Sequence, residues 1–109
     1  MQRGDVVTVA TSGDYGKPRP AVIVQSDALP PTHASVVVCQ MTSTLSDAAA
    51  FRVTLLPSAT NGLRIASQIM VEKPITVRRE RVGAHLGRLT IEEMRQVNAA
   101  LAFVMGLAD

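Results

Sequence analysis

Gly13-Asp14-Tyr15-Gly16-Lys17-Pro18-Arg19-Pro20-Ala21-Val22-Ile23-Val24-Gln25-Ser26-Asp27 is a polar, glycine-bearing loop that runs directly into an apolar strand. Pro18 and Pro20 fix their own φ and push the residues before them, Lys17 and Arg19, into extended conformations. Arg19 is thereby held on a stiff segment at the mouth of a buried strand. A guanidinium in that position, with Asp14, Tyr15 and Lys17 close in sequence, suits a site that must grip a phosphodiester through two hydrogen bonds at once. An arginine paired with a carboxylate to close the loop fits the same spacing equally well.

Outward from this stretch, Asp5 to Ala10 reads as a strand before the loop and Pro20 to Gln25 as the strand after it. Ser26 to His33 carries Pro30 and Pro31 and reads as a turn. Ala34 to Met41 is β-branched and apolar on both faces, which predicts the most buried strand. It ends at Thr42-Ser43-Thr44-Leu45-Ser46-Asp47, whose residue types alone suit a solvated turn held by Asx and Ser/Thr hydrogen bonds. Phe51 to Leu55 alternates like a half-exposed strand, and Pro57 to Gly62 reads as a turn. Leu63 to Val71 is predicted as another strand, broken at Lys73-Pro74 and resumed at Ile75-Thr76-Val77. The basic run Arg78-Arg79-Glu80-Arg81 fits a solvated edge or turn, or an extension of a phosphate-binding face. Val82 to Leu89, with two glycines, reads as a loop or short strand, and His85 as a surface histidine.

The C-terminal helix has the clearest local signature. Thr90-Ile91-Glu92-Glu93 forms a capping box, and its two acids in the first turn suit the helix dipole. Ile91, Met94, Val97, Leu101, Val104 and Met105 recur at spacings of three and four and define an apolar stripe, with Gly106 placed to end it. Strands around one such helix make an α+β domain.

The 109 residues suit a single domain spanning 1–109. Aromatic residues make up only 3% and Trp is absent, so Val, Ile, Leu, Ala and Met must build the core. Eleven basic against nine acidic residues give a net charge of +2, too small to argue for nucleic-acid binding by itself. The single cysteine, Cys39, excludes an intramolecular disulfide and points to a reducing cytoplasm. No targeting segment or membrane-spanning run is read in the sequence, and no membrane association is expected. Acids and histidines do not cluster at metal-ligand spacing, so neither a metal nor a cofactor is expected.

Read with Arg3-Gly4-Asp5-Val6-Val7-Thr8-Val9, the opening stretch resembles the MazF/PemK family of toxin endoribonucleases. That family begins with an RGD- or RGE-apolar strand and continues through a Gly-rich loop into an RPAV(I/V)V strand, here Arg19 to Val24. A further strand ending in a Thr/Ser pair follows, here Val36 to Ser43, and Gly62 to Ile69 is similar to the family's later strand ending in (S/D)-Q-(V/I). The resemblance covers nearly the whole chain. It implies a small, strongly bent antiparallel SH3-like β-barrel with the C-terminal helix packed on it. It also implies a type II toxin that cleaves single-stranded RNA sequence-specifically without metal, leaving a 2′,3′-cyclic phosphate and a 5′-hydroxyl. The expected partners are RNA, a cognate antitoxin and a second copy of the chain in a homodimer.

By the same resemblance, Arg19 and Thr42 are the catalytic residues, with Asp14, Tyr15, Lys17, Ser43, Gln68, Glu72 and Lys73 around the RNA. Arg19 would stabilise charge on phosphorus and Thr42 would donate a hydrogen bond to phosphate. The general base is open between Asp14, Tyr15 and Glu72. Some relatives carry an arginine two residues before the acid near Glu72, where this chain has Met70. The related CcdB toxins, which bind DNA gyrase without catalysis, offer a second reading, as does a member that only binds a partner. The gyrase poisons use a Trp-containing C-terminus, which this chain lacks.

Overall fold

Six strands and one helix follow one another in the computed structural model, which describes residues 1–11, 17–47 and 50–107. They are β1 (Asp5–Val9), β2 (Arg19–Ile23), β3 (Ser35–Thr42), β4 (Arg52–Leu55), β5 (Ser67–Arg78), a 3₁₀ turn at Arg79–Arg81, β6 (Val82–Arg88) and α1 (Ile91–Val104). The strands form one antiparallel sheet in the order β4-β5-β3-β2-β1-β6. Tyr15, Asp14 and the glycines beside them lie outside the described residues.

Strand alternation gives the sheet two apolar faces. Val6, Val22, Cys39, Met41, Val53, Leu55, Ile69 and Val71 pack in one cluster with Val97 and Ala100 of α1. The alternate residues Val7, Val9, Ala21, Ile23, Val36, Val38 and Val77 form a second cluster. Burying both faces requires the sheet to bend around itself, and the long β3–β5 ladder supplies the bend. Its register changes between Cys39↔Pro74 and Met41↔Ile69, leaving extra β5 residues opposite Gln40. Such a bulge kinks the strand and raises its twist.

β5 corrects two expectations. The strand begins at Ser67, because residues 63–66 belong to the preceding bend, and it runs through Lys73-Pro74 without a break. The proline is tolerated because β4 accompanies β5 only as far as Met70, so one edge of the strand is open at Pro74. Val82 to Leu89, open between loop and short strand, forms a full strand over Val82–Arg88 paired with β1.

The two outer strands, β4 and β6, do not pair, so the sheet is strongly bent but not closed by a ladder. The turn after β4 bridges part of the gap: Arg88 N–H donates to the Thr60 carbonyl at 2.9 Å. This approach needs glycine on both sides. A Cβ on Gly87 would strike the Thr60 carbonyl and Asn61, and one on Gly62, which has φ +69°, would strike the Leu86 carbonyl. Fully buried Asn61 knits the turn, its Oδ1 accepting from Ser58 N at 3.0 Å and Leu63 N at 2.9 Å while Nδ2 donates to the Leu56 carbonyl.

α1 keeps its predicted start. Glu93 N donates to Thr90 Oγ1 at 3.1 Å and Thr90 N to Glu93 Oε1 at 2.8 Å, completing the capping box. It ends in a Schellman motif, Leu107 N to the Ala102 carbonyl and Gly106 N to the Phe103 carbonyl. Val97 and Ala100 are buried and Met94, Leu101 and Val104 pack at the edge of the core, but Ile91 is 77% and Met105 60% exposed. The apolar stripe therefore overruns the contact at both ends of the helix.

Candidate nucleic-acid interface

The N-terminal Arg3-Gly4-Asp5 motif turns out to brace the structure. Arg3 Nε donates to the Val24 carbonyl at 2.9 Å and its Nη2 to Asn98 Oδ1 at 2.7 Å, tying the end of β2 to α1. Buried Asp5 accepts from Gln2 N at 2.8 Å.

Arg19 and Thr42 lie elsewhere. β2 and β3 pair as Ala21↔Gln40, and continuing that antiparallel register by two residues sets Arg19 level with Thr42. Thr42 in turn pairs with Gln68, and Gln68 with Thr54. Residues level across a sheet share a face, so Arg19, Thr42, Gln68 and Thr54 make a row across four strands. That face is opposite Met41, Val53 and Ile69, which pack toward α1. Arg19 opens β2 on the exposed side and Thr42 is half-buried.

The Thr42 hydroxyl accepts from Thr44 N at 3.1 Å. That bond occupies a lone pair and leaves the hydroxyl proton able to donate. Ser43 and Lys17 are exposed beside the row, as is Lys73 in the bulged part of β5.

Gln68 and Glu72, expected at the RNA, are engaged within the protein. Buried Gln68 accepts from Ser46 N at 3.0 Å and donates Nε2 to the Ser46 carbonyl at 2.8 Å and to Thr54 Oγ1 at 3.2 Å. It thereby clamps the loop that follows Thr42. Glu72 is gripped by Arg52, whose Nε lies 2.9 and 3.0 Å from the two carboxylate oxygens and whose Nη2 lies 2.6 Å from Oε2. These hydrogen bonds hold the Glu72 carboxyl below the usual range and raise the Arg52 guanidinium above its own. A carboxylate so held is a weak base, which disfavours Glu72 for proton abstraction.

Arg52 was missed by the sequence reading, which treated it as one residue of a half-exposed strand. Its partner is set by the β4–β5 register, Arg52↔Met70, and nothing local to β4 encodes that register. Gln40 was also missed. It occupies the same face at the bulge, and its Nε2 is enclosed without a hydrogen-bond partner among the described residues.

Arg78 and Arg81 line an open, polar groove with Ala10 and Thr11, at the base of the loop that leads to Arg19. Arg79 faces away, its Nε donating to the His33 carbonyl at 2.7 Å. His85 lies on the outside of β6, 3.6 Å from Asp5.

Comparison with known proteins agrees with this architecture. Residues 2–105 match the model of the PemK-like, MazF-like toxin of type II toxin–antitoxin systems. The chain is 38% identical over 109 residues to a probable endoribonuclease MazF of Mycolicibacterium smegmatis, covering 99% of each. It is 28% identical over 116 residues to the endoribonuclease MazF9 of Mycobacterium tuberculosis, covering 98% of each. Among solved structures it superposes on a mycobacterial endoribonuclease in complex with its cognate antitoxin, with a TM-score of 0.83 and 26% identity, covering 98% of this chain and 96% of that one. The chain belongs to the PemK-like, MazF-like family of type II toxins.

Proposed function

We propose that the protein is an endoribonuclease toxin that cleaves single-stranded RNA at chosen sequences without a metal ion. The observation that supports this reading is the register that sets Arg19 level with Thr42 on neighbouring strands. The 2′-oxygen of one nucleotide attacks the adjacent phosphorus as its proton passes to solvent water or to Asp14 or Tyr15. The bond to the 5′-oxygen breaks as that oxygen takes up a proton from water, giving a 2′,3′-cyclic phosphate and a 5′-hydroxyl. Arg19 offers a bidentate, permanently charged fork to the phosphoryl oxygens as their negative charge grows. Thr42 adds a hydroxyl donor whose lone pair is held by Thr44 N. Lys17, Ser43 and Lys73, together with Asp14 and Tyr15, contact the flanking RNA. Gln68 and Glu72 act behind them by holding the loop after Thr42 and the guanidinium of Arg52.

The protein works in the cytoplasm as a homodimer and is silenced by a cognate antitoxin, as the complex formed by its structural relative suggests. Among the described residues no helix is long and apolar enough to cross a membrane. A gyrase-binding role gains no support, since both curated relatives are named as endoribonucleases.

Incubating the pure protein with RNA, with and without chelator, and sequencing the ends tests this proposal. Cyclic-phosphate ends at a recurring sequence, insensitive to chelator, are expected. Intact RNA, or cleavage abolished by chelator, would contradict it. Sedimentation at micromolar concentration should give twice the 11.6 kDa chain mass, and a fully active monomer would refute the dimer.

A further inference from the structure

A pocket of about 470 Å³ opens beside the Arg19–Thr42 row, lined by Ser46, Asp47, Arg52, Thr54, Gln68 and Gln96. Two features make its walls rigid. Gln68 holds both the N–H and the carbonyl of Ser46, which fixes the backbone next to Asp47. Glu72 holds Nε and Nη2 of Arg52, which fixes the plane of the guanidinium.

What remains for a ligand is chemically specific. Asp47 is exposed and makes no hydrogen bond or ion pair among the described residues, so it presents an acceptor-only carboxylate. Arg52 Nη1 makes one long contact, 3.5 Å to Gln68 Oε1, and keeps donor capacity. A carboxylate acceptor and a guanidinium donor in one small polar pocket match a nucleobase edge that bears both an amino group and a carbonyl. Cytosine and guanine carry both; adenine has no carbonyl and uracil no amino group. Bases of single-stranded RNA can be splayed into such pockets and read on their edges. Thr54 stands two strand spacings from Thr42, about 10 Å, within reach of a nucleotide flanking the scissile phosphate.

We infer that this pocket reads a cytosine or guanine next to the cleavage point, with Asp47 accepting from its amino group and Arg52 Nη1 donating to its carbonyl. The inference rests on the endoribonuclease reading above.

The test begins with wild-type protein and a randomised single-stranded RNA library. Cleaved products should share a cytosine or guanine within about two nucleotides of the cut. That base is then replaced by the analogue lacking the amino group, uridine for cytidine or inosine for guanosine. Wild-type kcat/KM should fall by roughly tenfold or more, the scale of one good base contact. In Asp47→Ala the same replacement should cost little, because the contact it removes is already gone. Cleavage with no cytosine or guanine requirement overturns the inference and leaves the endoribonuclease reading standing, as does an equal amino-group penalty in wild type and Asp47→Ala. Absence of any cleavage by the wild type overturns both.

Discussion

Arg52 on β4 and Glu72 on β5 form a bidentate ion pair with its shortest contact at 2.6 Å. Arg52 is level with Met70, so β4 brings a guanidinium to this part of the sheet. Both side chains are mostly buried, 15% and 23% exposed, so the pair is better shielded than a surface salt bridge.

Removing one partner should therefore be felt. Arg52→Ala leaves Glu72 without its main hydrogen-bond donor in a half-buried setting, which should lower stability by roughly 2 kcal/mol. Replacing both residues with apolar side chains of similar size should recover much of the loss. Urea unfolding of the single and double variants measures this, and a double variant less stable than Arg52→Ala would contradict it.

The same pair sets a pH dependence. The Glu72 carboxyl is held down chiefly by its hydrogen bond to Arg52. Its contribution is complete above the unfolded-state value of about 4.3 and is lost as pH falls through the lower folded value. The stability gap between wild type and Glu72→Gln should be constant near neutrality and narrow as the solution is acidified below about pH 4.3. A gap that widens on acidification would show that the sign is wrong.

The sequence made some of this legible for physical reasons that can be named. The capping box of Thr90 and Glu93 is local, and so it was read correctly. The strands expected at Pro20 to Gln25 and Ala34 to Met41 are present as Arg19–Ile23 and Ser35–Thr42, because β-branched runs mark buried strands. The Arg52–Glu72 pair and the clamp of Gln68 on Ser46 join residues about twenty apart through strand register, which leaves no local pattern. Pro74 misled because a proline breaks a strand only where both edges are paired, and sequence does not reveal which edge is open.

Gln68 is expected to act on the loop after Thr42. In Gln68→Leu the Ser46 amide loses its acceptor, so its hydrogen exchange should accelerate while amides in the middle of β3 stay protected. RNA cleavage should fall with little change in RNA affinity, because the loop is loosened without removing a basic residue. Unchanged exchange at Ser46 would remove the basis for the clamp.

The near-closure of the sheet depends on Gly87. In Gly87→Ala the new methyl meets the Thr60 carbonyl and the backbone of Asn61, and neither can swing aside as a flexible side chain would. Overpacking of this kind should cost about 1–3 kcal/mol or more. Gly83→Ala, which meets the Thr8 hydroxyl, should cost less. Thermal unfolding of the two variants checks the order, and equal melting temperatures would refute it.

Arg19 is the centre of the mechanism, and single-turnover cleavage of a short RNA by Arg19→Ala, beside its thermal unfolding, tests it most directly. If Arg19 stabilises charge developing at phosphorus, the chemical step should slow on the order of 10²- to 10³-fold while the fold and RNA binding are largely kept. Arg19→Lys should recover only part of the rate, since an ammonium lacks the planar fork, and Thr42→Ala should show a smaller defect from the loss of one neutral donor. An Arg19→Ala protein that is folded and cleaves at the wild-type rate would contradict the account.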